Sequence, residues 1–122
     1  MTRRTLRVSA REAREVTETP YGSVGVLHAG ADLKAWWIWK DDEDIDPEWK
    51  VNTHDDFLYV VHGRLKLELK GLEHVVMGSG ECCVIPAGTP FRGYRWPREA
   101  SEACLFIAVS PGAVETKSAG TA

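Results

Sequence analysis

The segment Gly80-Glu81-Cys82-Cys83-Val84-Ile85-Pro86-Ala87-Gly88-Thr89-Pro90-Phe91 constrains the fold more than any other. It reads as a short buried strand that ends in a Pro-x-Gly turn. Pro86 has no N–H to continue a ladder, and Gly88 can adopt the backbone angles a tight turn requires. Other parts of the chain follow the same plan. Val24–Leu27, Leu33–Lys40, Phe57–Val61, Leu65–Lys70, His74–Met77 and Cys104–Val109 read as strands, separated by Gly-rich or Pro-rich turns. The clearest period of two is Leu65, Leu67 and Leu69 alternating with Lys66, Glu68 and Lys70. Short strands at this spacing, with no long amphipathic helix between them, predict an all-β sandwich or barrel.

At 122 residues the chain is expected to form one domain, 1–122, with a core over about 22–110 and flexible tails at 1–5 and 113–122. Ser9-Ala10-Arg11-Glu12 matches a capping box, so one short N-terminal helix over 10–16 is expected, stopped by Thr19-Pro20-Tyr21-Gly22. In Leu33–Lys40, Trp37 and Trp39 share one face while Trp36 and Ile38 share the other. Both faces are therefore apolar, and both are expected to be covered by the core or by a second copy of the chain. A homodimer through the N-terminal or Trp-rich strands is the expected assembly.

A net charge of −3 gives no reason to expect nucleic acid as a partner. No apolar run approaches the length of a membrane span, and the N-terminus shows no apolar signal region. The three cysteines, two of them adjacent, make a poor disulfide framework and fit reduced thiols in a cytoplasmic protein. The acidic run from Asp41 to Glu48 reads as a solvated loop, because packed like charges repel. Arg92, Arg95 and Arg98, with Tyr94, Trp96 and Pro97, read as a solvated turn on a rim.

Two phrases carry a family resemblance. Residues 80–91 resemble the second signature of the cupin superfamily, Gly-x5-Pro-x-Gly-x2-His, with Phe91 in the His position. Asp56-Phe57-Leu58-Tyr59-Val60-Val61-His62-Gly63 resembles the second half of the first signature, with Asp56 in its Glu position. Counting back places Lys50 and Asn52 where the two His of that signature stand. The resemblance covers about residues 49–109 and implies a cupin-type double-stranded β-helix, or jelly-roll, barrel. It also implies a divalent metal held by three His and one Glu, but here those positions read Lys50, Asn52, Asp56 and Phe91. A protonated Lys has no lone pair and Phe has no donor atom, so the standard metal is not expected and no cofactor is predicted.

A carboxylate pointing into a barrel needs a partner, and the Lys50 ammonium is expected to stand beside Asp56 where the metal would be. His54 shares strand parity with Asp56 and is expected to face the same pocket as a general acid–base. Asp56, His54 and Lys50 thus form the candidate proton-transfer set, while Asn52, Leu58, Phe91 and Arg92 are the candidate substrate-binding residues. The resemblance implies small-molecule chemistry, as in metal-independent cyclases, dehydratases, isomerases and epimerases. Two alternatives stay open: a non-catalytic ligand-binding or regulatory module, and a metal-dependent enzyme with rearranged ligands His54, Asp56 and His62.

Overall fold

A computed structural model describes residues 7, 9 and 15–121. The described residues contain eleven strands and no helix. In chain order they are β1 (Val16–Thr19), β2 (Gly22–Ala29), β3 (Leu33–Lys40), β4 (Lys50–Asn52), β5 (Asp56–His62) and β6 (Arg64–Leu69), followed by β7 (Val75–Gly78), β8 (Cys82–Ile85), β9 (Phe91–Arg95), β10 (Cys104–Pro111) and β11 (Thr116–Ser118). The helix expected over 10–16 lies almost wholly outside the described residues, and Val16, its last expected residue, instead opens β1.

The strands form two antiparallel sheets. One has the order β1-β2-β3-β10-β5-β8 and the other β11-β4-β9-β6-β7. Alternation along each strand sends one set of side chains between the sheets. On β5, Leu58 and Val60 are buried while Phe57, Tyr59 and Val61 face out. On β6, Leu65, Leu67 and Leu69 are buried, as their period of two predicts. On β10, Phe106 and Ala108 point inward opposite Val60 and Leu58. These residues form one core with Met77 and Ile85, and Trp36, Ile38 and Phe91 pack against it. Burying one such Leu contributes about 1.5–3 kcal/mol relative to leaving it in water.

Three segments differ from their sequence reading. The expected rim turn around Arg92 and Arg95 is strand β9, paired with both β6 and β4. Its arginines hid it, because long charged side chains in a strand look like a solvated loop. Here Arg95 is buried and donates from Nε to the Arg98 carbonyl at 2.8 Å. The expected flexible tail over 113–122 carries the buried Val114 and strand β11, which pairs with β4. The acidic loop is exposed over Asp41–Asp44, but Ile45, Asp46 and Glu48 are half-buried and Trp49 is buried.

The Pro86-Ala87-Gly88 turn does more than end β8. The Gly88 N–H donates to the Asn52 carbonyl at 2.9 Å, and the Ala87 N–H donates to Asp55 Oδ1 at 2.8 Å. Gly88 has φ +79°, which favours glycine. The turn therefore clamps the bend between β4 and β5, whose two ends carry Asn52 and Asp56.

Candidate functional site

Between the sheets lies a cavity of about 350 Å3. Its walls are mainly apolar, with Trp36, Ile38, Leu58, Leu67, Phe91 and Phe106 among them. The four positions that the resemblance assigns to metal ligands, Lys50, Asn52, Asp56 and Phe91, all line it. Sheet register produces this convergence: Lys50 pairs with Phe91 across β4 and β9, and Asn52 lies two residues along the same face of β4.

Asp56 is the chemical centre of the cavity. It is buried, and each of its oxygens accepts a hydrogen bond. Ser110 Oγ donates to Oδ1 at 2.7 Å and Asn52 Nδ2 donates to Oδ2 at 3.3 Å. Thr116 Oγ1 donates in turn to Asn52 Oδ1 at 2.6 Å, which sets the orientation of the amide. Burial raises the Asp56 pKa above the ordinary carboxylate value, and the bonds from Ser110 and Asn52 oppose that rise without cancelling it. Asp56 therefore holds its proton to a higher pH than a solvated aspartate does.

The expected Lys50–Asp56 pair does not form. The Lys50 ammonium is held by Glu48, two residues away on the incoming loop, and the hydrogen bonds to Asp56 come from Ser110 and Asn52. A flexible four-carbon stem lets Lys50 reach Glu48, which is better solvated than the buried Asp56. His54 also departs from expectation. Residues 53 and 54 form a bend, so the strand parity linking His54 to Asp56 is broken. His54 lies outside the cavity lining, with Nδ1 hydrogen-bonded to Thr53 Oγ1 at 2.9 Å. Of the three expected proton-transfer residues, Asp56 and Lys50 share the cavity and His54 does not.

Asn52, Leu58 and Phe91 line the cavity as expected. Arg92 lies at its wall, but its guanidinium is already engaged. Nη2 donates to Glu68 Oε1 at 3.1 Å, and Cζ sits 4.3 Å from the centre of the Trp49 ring. The rearranged ligand set is not assembled either. His62 is exposed at the end of β5 with Glu102 3.8 Å away, and His54 is on the bend. Among the described residues no group of three or more His, Cys, Asp or Glu side chains is placed to hold a metal ion. The donors around Asp56 are an amide and hydroxyls, with an ammonium and a phenyl ring at two of the four ligand positions. This set does not fit a transition metal, which takes imidazole, thiolate or several carboxylates.

Sequence reasoning passed over Ser110, Thr116, Lys40, Asp46 and Glu48, all of which line the cavity. Two of them carried a readable signal. Lys40 has the parity of Trp36 and Ile38 on β3, and Ser110 has the parity of Phe106 and Ala108 on β10. Thr116, Asp46 and Glu48 lie in segments whose sequence resembles solvated tail or loop, and only packing turns them inward.

No family model and no curated protein sequence matches the chain. Solved structures do. KdgF from Halomonas sp. superposes with a TM-score of 0.69 at 20% identity, over 88% of this chain and 94% of that one. An RmlC-like cupin from Shewanella frigidimarina gives 0.67 at 17% identity, over 89% and 93%. Oxalate decarboxylase from Bacillus subtilis gives 0.72 at 10% identity, over 87% of this chain but 30% of that chain. At these identities the likeness is one of architecture, and this chain has the cupin fold: two antiparallel sheets of a jelly roll closed around a cavity with Asp56 inside it.

Proposed function

We propose that the protein binds and transforms a small organic molecule by acid–base chemistry at Asp56, without the fold's usual metal. The observation that carries this reading is a buried carboxylate facing a mainly apolar cavity, with its pKa raised by that burial. A carboxyl group in such a place holds its proton to higher pH than a solvated aspartate does, which suits it to exchange that proton with a bound substrate. Ser110 and Asn52 fix the orientation of the carboxyl, and Thr116 fixes Asn52, so proton transfer would occur at a defined position. Leu58 and Phe91 would pack on the apolar body of the substrate. The reaction class this supports is isomerase- or lyase-type proton transfer.

A second reading, a non-catalytic ligand-binding module, draws on one observation. Both Asp56 oxygens already have internal donors, which suits a structural carboxyl as well as a reactive one. The two readings separate on turnover. Protein dialysed against EDTA is incubated in D2O with the small-molecule fraction of a cell extract, and products are followed by mass spectrometry. Wild type should convert or deuterate at least one compound, and Asp56→Asn should lose roughly a hundredfold or more of that activity while staying folded. Activity that survives Asp56→Asn sinks the acid–base assignment. Activity that vanishes on dialysis and returns with a divalent metal sinks the metal-independent part. Binding without any turnover favours the module.

A further inference from the structure

Lys40 is a cavity residue whose charge the fold leaves without a contact. It ends β3 on the face shared by Trp36 and Ile38 and pairs in register with the buried Cys104. It lines the cavity together with two other cations, each of which already has a partner. Lys50 is bonded to Glu48, and Arg92 to Glu68. The Lys40 ammonium makes no hydrogen bond or ion pair of contact length among the described residues. Asp46, the carboxylate whose charge acts on Lys40, accepts from the Glu48 N–H on Oδ1 at 2.9 Å. A cation placed between apolar walls with no acceptor in contact is costly, and an acceptor supplied by a ligand would offset that cost.

Resting on the reading of this cavity as a ligand site, we propose that Lys40 recognises the carboxylate of the ligand, so that the substrate class is a small organic acid with an apolar body. The acid group would sit at the Lys40 end and the apolar body against Trp36, Ile38 and Phe91, with the rest of the molecule reaching toward Asp56. The local electrostatics support this arrangement. Burial pushes the Lys40 pKa below its ordinary value, Asp46 pushes it back up, and Lys50 adds to the lowering. An anion beside Lys40 would relieve both the burial and the repulsion from Lys50. Asp46 opposes an incoming anion, so its removal should help binding.

Three probes of similar shape test the proposal by calorimetric titration of the full chain at pH 7: 2-naphthoate, 2-naphthamide and 2-naphthylmethylammonium. Wild type should bind the acid roughly tenfold or more tighter than the amide, the size expected for one charge-assisted hydrogen bond. Lys40→Met should bring that ratio to about one, Lys40→Arg should keep most of it, and Lys50→Met should lower it less than Lys40→Met does, because the Lys50 charge is already engaged by Glu48. Asp46→Asn should tighten acid binding severalfold, which tests the electrostatics with Lys40 intact should Lys40→Met fail to fold. An acid-to-amide ratio near one in wild type, or a ratio that survives Lys40→Met, overturns the Lys40 assignment and leaves the cavity reading standing. Tightest binding of the ammonium probe does the same and points to Asp56 as the anchor. If no probe binds, the ligand-site reading fails and the Lys40 proposal falls with it.

Discussion

Ser110→Ala tests whether the Asp56 network is as tightly coupled as its geometry indicates. The Ser110 hydroxyl donates to Asp56 Oδ1 at 2.7 Å, and the two residues are 3% and 7% exposed, so the pair is shielded from bulk water and faces only the cavity. A hydrogen bond to a charged group in such a place contributes about 1.5–3 kcal/mol. Taking about 2 kcal/mol, the variant should unfold roughly 8 °C lower at neutral pH. The pH dependence has a defined sign. The Ser110 bond holds the folded-state pKa of Asp56 down against burial, so its removal raises that pKa further. Above the raised value both proteins carry the ionised carboxylate and the full difference is present. As pH falls, the variant takes up its proton before wild type does, and the difference shrinks across the interval between the two folded-state values. It is smallest once both are protonated. Urea unfolding at a series of pH values measures this directly. A double-mutant cycle with Asp56→Asn should also give a coupling energy of about 1 kcal/mol or more. A cost below about 0.5 kcal/mol at neutral pH, or a cost that does not change with pH, would refute the network, given the usual size of such bonds.

Two glycines should respond differently to alanine. At Gly25 a Cβ would lie 2.2 Å from the Trp37 ring, so Gly25→Ala should cost roughly 1–3 kcal/mol of overpacking, whereas Gly88→Ala meets no atom within 4 Å and carries only the strain of φ +79°, about 1 kcal/mol. Thermal melts should rank Gly25→Ala as the less stable, and the reverse order would mean that Trp37 moves aside freely. The outward face of the six-stranded sheet carries two cross-strand rows, Trp37-Ile107-Tyr59-Cys82 and Ala35-Val109-Phe57-Val84, with no charged residue in either. We infer that a second copy of the chain covers this face, which could form the apolar centre of an interface of about 800 Å2 per partner. Light scattering should show a dimer for wild type and a monomer for Val84→Glu, since Val84 is 55% exposed and can be changed without disturbing the core. A monomeric wild type, or a Val84→Glu dimer of unchanged affinity, would remove the proposal.

Strand parity explains why the interior was largely legible and the site only partly so. Leu65, Leu67 and Leu69 announced their face because apolar and charged residues alternate without interruption. Leu33–Lys40 has the same limits in the structure as in the sequence reading, and the strand read before the Pro86 turn is Cys82–Ile85. Parity failed at His54, because a bend resets which way side chains point and nothing in Thr53-His54-Asp55 marks the bend as one. It was silent on β9, where Arg92 and Arg95 look solvated until Glu68, Trp49 and the Arg98 carbonyl supply their partners.

The short alternating strands pointed to an all-β sandwich or barrel, and the resemblance carried by Gly80, Pro86 and Gly88 and by the phrase from Asp56 to Gly63 implied the barrel and the convergence of Lys50, Asn52, Asp56 and Phe91. Backbone angles and side-chain period are local properties, and local residues set them. Which group answers Asp56 was decided only in the tertiary structure. Ser110 lies 54 positions along the chain from Asp56, and Thr116 lies 64 from Asn52. Lys50, the neighbour in sequence that seemed the natural partner, is taken by the more exposed Glu48. Charge pairing depends on which acceptor is nearest in space and best solvated, and that becomes defined only once both sheets have closed around the cavity.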